Sequence, residues 1–237
     1  MNSILDEQSA LTLEKSLSYT FKDKSLLLRS VTHRSYVNEN RESAALGHNE
    51  RQEFLGDAVL ELIVTSYLYE HFPESPEGDL TAYRSSLVNS DTLAQVASEL
   101  GMGESLRLSR GEAKDAGRAR TYILANTFEA VLGAVYLDGG YEAAKAIVHT
   151  HVLPKLEAVL ANKSWIDSKS LFQARAQEFV GSTPSYRTTK ETGPDHDKKF
   201  TVGVFIGTEQ IATGEGKSKQ EAELAAARKA LEEKGWL

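Results

Sequence analysis

Cysteine is absent from the 237 residues of the chain. Its absence excludes disulfides, thiolate zinc sites, iron–sulfur clusters and cysteine nucleophiles, and leaves oxygen or imidazole as ligands for any metal. Proline is scarce, with five residues against 17 glycines, so collagen-like repeats and proline-rich disorder are also excluded. Long hydrophobic runs are missing. The longest apolar stretch, 123–137, is too short to span a bilayer and is interrupted by Asn126, Thr127 and Glu129. The first ten residues carry Asp6 and Glu7 and lack the basic-then-apolar order of a secretory leader. Secretion and membrane insertion are therefore not expected, and a thiol-free chain fits a reducing cytoplasm.

What is present is ordinary globular material, with 41% apolar and 26% charged residues. The length suits one large or two modest domains, either of which buries enough surface to be stable without staples. The net charge of −7 argues, taken whole, against a nucleic-acid partner. The halves differ, however: residues 1–167 hold 16 Lys and Arg against 24 Asp and Glu, whereas residues 168–237 hold 11 against 10. The acid is concentrated in front.

Residues 13–160 read as helical throughout, with amphipathic stretches near 24–32, 49–70, 79–101, 121–137 and 141–159 and no clear strand. Breaks are expected at Pro73 and Pro76, at Gly101 and Gly103, and at Gly139 and Gly140. The expectation is an all-α domain over 1–160. A short polar linker, 161–167, leads to a change of periodicity at 168–237. There Ser170 with Gln173 forms a capping box that predicts a helix to Val180. Strands are predicted at 185–190, 200–206 and 209–216, the last two joined through Gly207 and Thr208. Ser218 with Glu221 opens a final alanine-rich helix. The second domain is thus a small α+β unit of order α-β-β-β-α.

The most informative stretch is Asn49-Glu-Arg-Gln-Glu-Phe-Leu-Gly-Asp57. On a helix Glu50, Glu53 and Asp57 fall within an arc of roughly 60°. Most of the remaining circumference is apolar, which predicts a buried helix whose acidic stripe is not freely solvated. Asn126 and Glu129 lie three apart on a second, almost wholly apolar helix. Burying an unpaired carboxylate costs several kcal/mol, and clustered carboxylates repel, so the pattern calls for a cation. Mg²⁺ or Mn²⁺ takes oxygen ligands and shares them with water and substrate phosphate. Metal ions so held activate water and stabilise a phosphoryl group under in-line displacement. Phosphodiester hydrolysis is the chemistry expected.

In the second domain, Gly214-Glu-Gly-Lys-Ser-Lys219 fails as a phosphate-binding P-loop, because the first glycine of that motif would fall on Ile211. Instead, the free N–H groups and dipole of the helix capped by Ser218 attract phosphate, with Lys217 and Lys219 flanking that end. His149 and His151 are two apart and lie on different sides of one helix, so a metal pair is not expected there.

The string from Asn49 to Leu60 resembles the signature of bacterial ribonuclease III. Thr-His-Arg-Ser-Tyr at 32–36, Pro-Glu-Gly-Asp-Leu at 76–80 and the Leu124–Ala130 segment support the match. The resemblance covers nearly the whole chain and implies Mg²⁺-dependent endonucleolytic cleavage of double-stranded RNA by a homodimer, in processing of ribosomal and messenger precursors. It implies Glu53, Asp57, Asn126 and Glu129 as the metal cluster, Asp57 and Glu129 also serving catalysis. Glu50 and Glu77 match further acidic positions of the cleavage site, and Phe54 matches an aromatic that plugs into the partner subunit. The family usually has Asp where Asn126 stands, so one anionic oxygen is replaced by a neutral one.

The α-β-β-β-α order and the string from Gly214 to Ala227 are similar to a double-stranded RNA-binding domain, which reads A-form shape with little sequence preference. The similarity implies RNA contacts by Gln173, Glu178, His196, Lys217 and Lys219. Gln220 stands where lysine is common, which predicts weaker and more salt-tolerant binding. His33 lies in a matching segment and reads as structural. A rival expectation is a catalytically weakened protein that binds duplex RNA without cutting it, for which Asn126 is the sequence support.

Overall fold

The computed structural model describes residues 7–114, 117–161, 168–194 and 198–236. The chain divides into two compact units, Met1–Trp165 and Ile166–Leu237. Among the described residues no helix is long and apolar enough to cross a membrane.

The first unit is helical. Its elements are α1 (Glu7–Leu17), α2 (Lys24–Ser30), α3 (Arg34–Glu39), α4 (Glu50–His71), α5 (Glu77–Val88), α6 (Ser90–Glu99), α7 (Met102–Ser105), α8 (Arg118–His151) and α9 (Lys155–Ala161). Helices α4 and α8 form the central pair. Leu60, Ile63, Val64 and Leu68 of α4 and Phe128, Val131, Leu132 and Val135 of α8 are buried in one core with residues of α1, α2, α5 and α6. Burying aliphatic and aromatic side chains of this size is worth about 1.5–3 kcal/mol each, and it is this packing that holds the central pair.

Local chemistry explains most boundaries. Pro73 and Pro76 separate α4 from α5, and the Asp23 side chain accepts the Ser25 N–H to start α2. At 79–101 the single expected stretch is two helices. Asn89 takes extended dihedrals, and its side-chain oxygen accepts the Thr92 N–H at 2.9 Å, capping α6. An asparagine within an apolar-periodic run was the signal for that break. The glycine break at 139–140 is a kink rather than a loop: α8 leaves helical dihedrals at Gly140 (φ 79°, ψ −171°) and continues to His151. There Asp138 accepts the Tyr19 hydroxyl at 2.7 Å and the N–H groups of Lys22 and Asp23 at 3.0 and 2.9 Å, fastening the α1–α2 turn to α8. Gly139 is required beside it, since a Cβ would lie 2.4 Å from the Tyr19 hydroxyl oxygen.

The second unit comprises α10 (Ser168–Val180), β1 (Ser185–Thr192), β2 (Lys199–Ile206), β3 (Glu209–Gly216) and α11 (Lys219–Lys234). The sheet is antiparallel in the order β1-β2-β3, and β2 turns into β3 at Gly207 (φ 61°). Phe172, Val204, Ala212, Ala226, Ala227, Ala230 and Leu231 form its core. Small residues let α11 lie close on the sheet: a Cβ on Gly214 would sit 2.1 Å from the Ala226 nitrogen. The cap expected at Ser170 is corrected, because α10 already begins at Ser168 and Ser170 lies inside its first turn. At α11 the Ser218 hydroxyl does accept the Glu221 N–H at 3.1 Å, while the Glu221 carboxylate accepts the Lys217 N–H at 2.8 Å. The expected linker lies outside the described residues apart from Ala161.

Candidate active site and nucleic-acid interface

The acidic residues meet where α4 crosses α8, and two glycines set how closely. A Cβ on Gly56 would lie 1.8 Å from the Glu129 carbonyl oxygen, and one on Gly133 would lie 2.2 Å from that of Gln52. Each glycine thus receives the backbone one turn ahead of the other. The Gln52 side chain, itself buried, donates from Nε2 to the Leu26 carbonyl oxygen at 3.0 Å and ties α2 to the same place. The seat brings Glu53 and Asp57, which flank Gly56, against Asn126 and Glu129 of α8.

The electrostatics bear this out. Glu53 is half-buried, and its carboxyl is raised, first by desolvation and then by the Glu50 charge; a hydrogen bond donated by Asn126 pulls it back, and Asp57 pushes it up again. Glu129 is pushed up to about 7, first by burial and then by the charges of Asp57, Glu53 and Glu61. Glu61, one turn beyond Asp57, extends the stripe, and Arg84 of α5 holds it at 2.9 Å while also donating to the Thr65 hydroxyl at 3.1 Å. Glu50 stands at the other end, 3.6 Å from Arg34 and 3.7 Å from His48. The middle of the stripe therefore carries unneutralised negative charge.

Two expectations need correction. Helix α4 is not buried all round: Phe54 is 80% and Leu62 56% exposed, and Ala58 between them is exposed too. These residues recur every four positions and leave one apolar face of α4 bare in the single chain. For the same reason Glu50 and Asp57 are exposed, and within the stripe only Glu53 and Glu61 are half-buried. Phe54 borders a hollow of about 690 Å³ shared with Arg29, His48, Gln52 and Leu137. Glu77, the first residue of α5, is not gathered with the others. It lines a separate cleft of about 310 Å³ with Arg84 of its own helix and with Thr65 and Tyr69, which lie about 12–18 Å along α4 from Asp57 at 1.5 Å per residue.

The donor set at the crossing is three carboxylates and an amide, all hard oxygen ligands suited to Mg²⁺ or Mn²⁺. Among the described residues no three acidic or histidine side chains stand close enough to hold an ion as placed. Burial and the neighbouring Asp57, Glu53 and Glu61 charges, which push the Glu129 carboxyl up, would be offset by a cation at the crossing.

In the second unit Gln173 is exposed on α10 and lines a shallow cleft with Ser170, Gln177 and Thr183. Glu178 is outside that cleft and pairs with Arg175 at 2.8 Å. Lys217 and Lys219 stand exposed at the start of α11. His196 lies outside the described residues. His33 caps α3, its Nδ1 accepting the Ser35 N–H at 3.2 Å, in keeping with a structural role. Sequence reasoning missed Gly56 with Gly133, the Glu61–Arg84 pair and Gln52. For Gly56 and Glu61 a signal existed: a glycine inside a helix costs about 1 kcal/mol and wants a reason, and Glu61 continues the Asp57 stripe at i+4.

Fold and site together define a helical nuclease-type unit joined to an α-β-β-β-α nucleic-acid-binding unit. Comparison with known proteins makes this specific. Residues 23–156 match the ribonuclease-III-like family profile, and residues 168–234 match the double-stranded RNA binding motif. The chain is 44% identical to ribonuclease 3 of Geobacter metallireducens over 225 residues, covering 95% of this chain and 92% of the relative. It is 46% identical to ribonuclease 3 of Pelotomaculum thermopropionicum over 227 residues, covering 95% and 94%. Among solved structures, the nuclease domain of ribonuclease III from Campylobacter jejuni, described for flexibility in a region involved in dimer formation, is 40% identical. It superimposes with a TM-score of 0.55, covering 60% of this chain and 95% of that one. The chain belongs to the ribonuclease III family of double-stranded RNA endoribonucleases.

Proposed function

We propose that the helical domain, 1–160, hydrolyses phosphodiester bonds in double-stranded RNA with Mg²⁺ (Mn²⁺ able to substitute), and that residues 168–237, beyond the 161–167 linker, hold the duplex. Glu53, Asp57, Asn126 and Glu129 would hold the ion. When bound, it supplies an activated water and charge stabilisation at the phosphorus undergoing in-line displacement. The observation that carries this reading is the close α4–α8 crossing at Gly56 and Gly133, which sets Glu53 and Asp57 beside Asn126 and Glu129, where burial and the Asp57 and Glu53 charges push the Glu129 carboxyl up.

The chain's own residues do the positioning. The glycine seat fixes the separation of Glu53 and Asp57 from Asn126 and Glu129, Asn126 orients the Glu53 carboxylate by donating to it, and Arg84 restrains Glu61. Asp57 and Glu129 face the reacting phosphate, and Glu50 and Glu77 complete the cleavage site. Because Glu77 stands apart from the crossing within one chain, its contribution fits a homodimer in which a second copy covers the bare face of α4 and receives Phe54. Gln173, Glu178, His196, Lys217 and Lys219 contact the duplex. Precursors of ribosomal and messenger RNA, in the cytoplasm, are the substrates this reading implies.

The test is a long perfect RNA duplex incubated with the pure protein, with Mg²⁺ or with chelator, beside a single-stranded control. Cutting of the duplex alone, only with metal, and its loss in Glu129→Gln with duplex binding kept, is the expected result. Equal loss of cutting and binding in that variant would overturn the assignment of roles. Binding without cutting by the wild-type chain at saturating Mg²⁺ and Mn²⁺ would favour the binding-protein reading, with Asn126 as the lesion.

A further inference from the structure

The start of α11 carries a contact that the RNA-binding reading does not use. In the sheet, Glu191 of β1 pairs with Phe200 of β2, and Phe200 pairs with Gly216 of β3. That register lines up the end of β1 with the turn into α11. The consequence is an ion pair: Lys219 Nζ lies 3.1 Å from Glu191 Oε1, and it hangs over the Phe200 ring 5.7 Å from its centroid. Both side chains are about half exposed, so water and solutes can reach the pair. The Glu221 carboxylate accepts the Lys217 N–H at 2.8 Å.

We infer that Glu191 is an internal competitor for RNA phosphate at Lys219, so that the duplex gains this lysine only by displacing a carboxylate. The inference rests on the reading of Lys219 as an RNA contact. A phosphate that approached without displacing Glu191 would meet a carboxylate of like charge within a few ångströms. One that displaces it exchanges one ion pair for another, and the affinity gained from Lys219 is reduced by the strength of the pair given up. Exposed pairs of this kind are weak, so the exchange is easy and the attenuation modest, about two- to fivefold in affinity at low salt. Because Lys219 is already neutralised in the free protein, the slope of log affinity against log salt is also shallower, by up to about one phosphate contact.

The experiment is a double-mutant cycle on the full chain. Glu191→Gln, Lys219→Ala and the double variant are titrated against a labelled RNA duplex of about 20 base pairs, in chelator, over a salt series. A gel checks that the duplex stays intact, and thermal melts check the fold. Glu191→Gln is expected to bind two- to fivefold more tightly with a steeper salt slope, Lys219→Ala more weakly, and the double variant like Lys219→Ala. A Glu191→Gln gain that persists in the Lys219→Ala background would overturn the inference, since removing a carboxylate would then act without the lysine. So would an unchanged Glu191→Gln affinity beside a weakened Lys219→Ala. A Lys219→Ala variant that binds like wild type would instead overturn the RNA contact itself, and the inference with it.

Discussion

Replacing Gly56 by alanine tests the central claim that backbone contact between α4 and α8 positions the acidic residues. The added Cβ would lie 1.8 Å from the Glu129 carbonyl oxygen and 2.9 Å from the Gly133 nitrogen, where ordinary contact begins at 3.4 Å. Both obstacles are backbone, which cannot rotate away as a side chain would, so the helices must part by about 1.6 Å at this point. Alanine gains about 0.5–1 kcal/mol of helix propensity over glycine. Overpacking a closed contact costs about 1–3 kcal/mol or more, and here the upper end applies, so strain wins by about 2 kcal/mol. For a protein of this size the melting temperature should fall by about 4–8 °C. Displacing Glu53 and Asp57 from Glu129 by about 1 Å should lower metal-dependent duplex cleavage about a hundredfold. Calorimetry and a duplex-cleavage time course measure the two effects. Gly78→Ala is the control, because nothing lies within 4 Å of its added Cβ. A Gly56→Ala protein that melts and cuts like the Gly78→Ala control would refute the reasoning.

Further outcomes follow from the same geometry. The Glu129 carboxyl sits at about 7 in the fold, above its ordinary 4.5, so its contribution to stability is fully present below pH 4.5 and is lost as pH rises through 7. In chelator at pH 8, Glu129→Gln should therefore raise the melting temperature and flatten its decline with pH, by about 1 kcal/mol after discounting for solvent exposure. A variant less stable than wild type under those conditions would sink this account. Asn126→Asp replaces the donor to Glu53 with another anion; in chelator it should melt lower, while calorimetric titration should show tighter Mg²⁺ binding. Unchanged Mg²⁺ affinity would mean that the amide oxygen serves as well as a carboxylate. Asp138→Ala removes the acceptor of the Tyr19 hydroxyl and of two solvent-exposed backbone N–H groups and should cost about 1.5 kcal/mol in denaturant unfolding, against about 0.5 kcal/mol for Tyr19→Phe. Equal costs would place the fastening elsewhere.

Much of the molecule was legible in the residue pattern. Helix α4 announced itself by its apolar period, the sheet by alternation around Gly207, and α11 by Ser218 and Glu221, because these signals are local. The acidic groups at 50–57 and 126–129 were legible for a related reason: helical spacing converts sequence separation directly into a shared face. What resisted was set by contacts distant in sequence. The bare stripe of Phe54, Ala58 and Leu62 reads as core until the neighbouring helices are placed and prove not to cover it. Glu77 shares the acidic character of the stripe, yet α5 starts beside Tyr69 and not beside Asp57, and one chain's sequence holds no measure of that distance. The break at Asn89 was a local signal overlooked, since asparagine within a run of helix-compatible residues is decided by whether its side chain finds Thr92.

Helix α4 has almost no position left over. Gln52 reaches α2, Glu53 and Asp57 look to the α8 crossing, Gly56 seats the backbone, Leu60 and Ile63 enter the core, and Phe54, Ala58 and Leu62 form the outer stripe. Each task belongs to a different bearing around one rod, and successive residues advance by about 100°. Adding or deleting a single residue between Asn49 and Gly56 would turn everything on one side of the change by that angle relative to the other. Acid would face the core and a bulky side chain would take the glycine's place. The segment is thus tolerant of some substitutions yet intolerant of any change in its length.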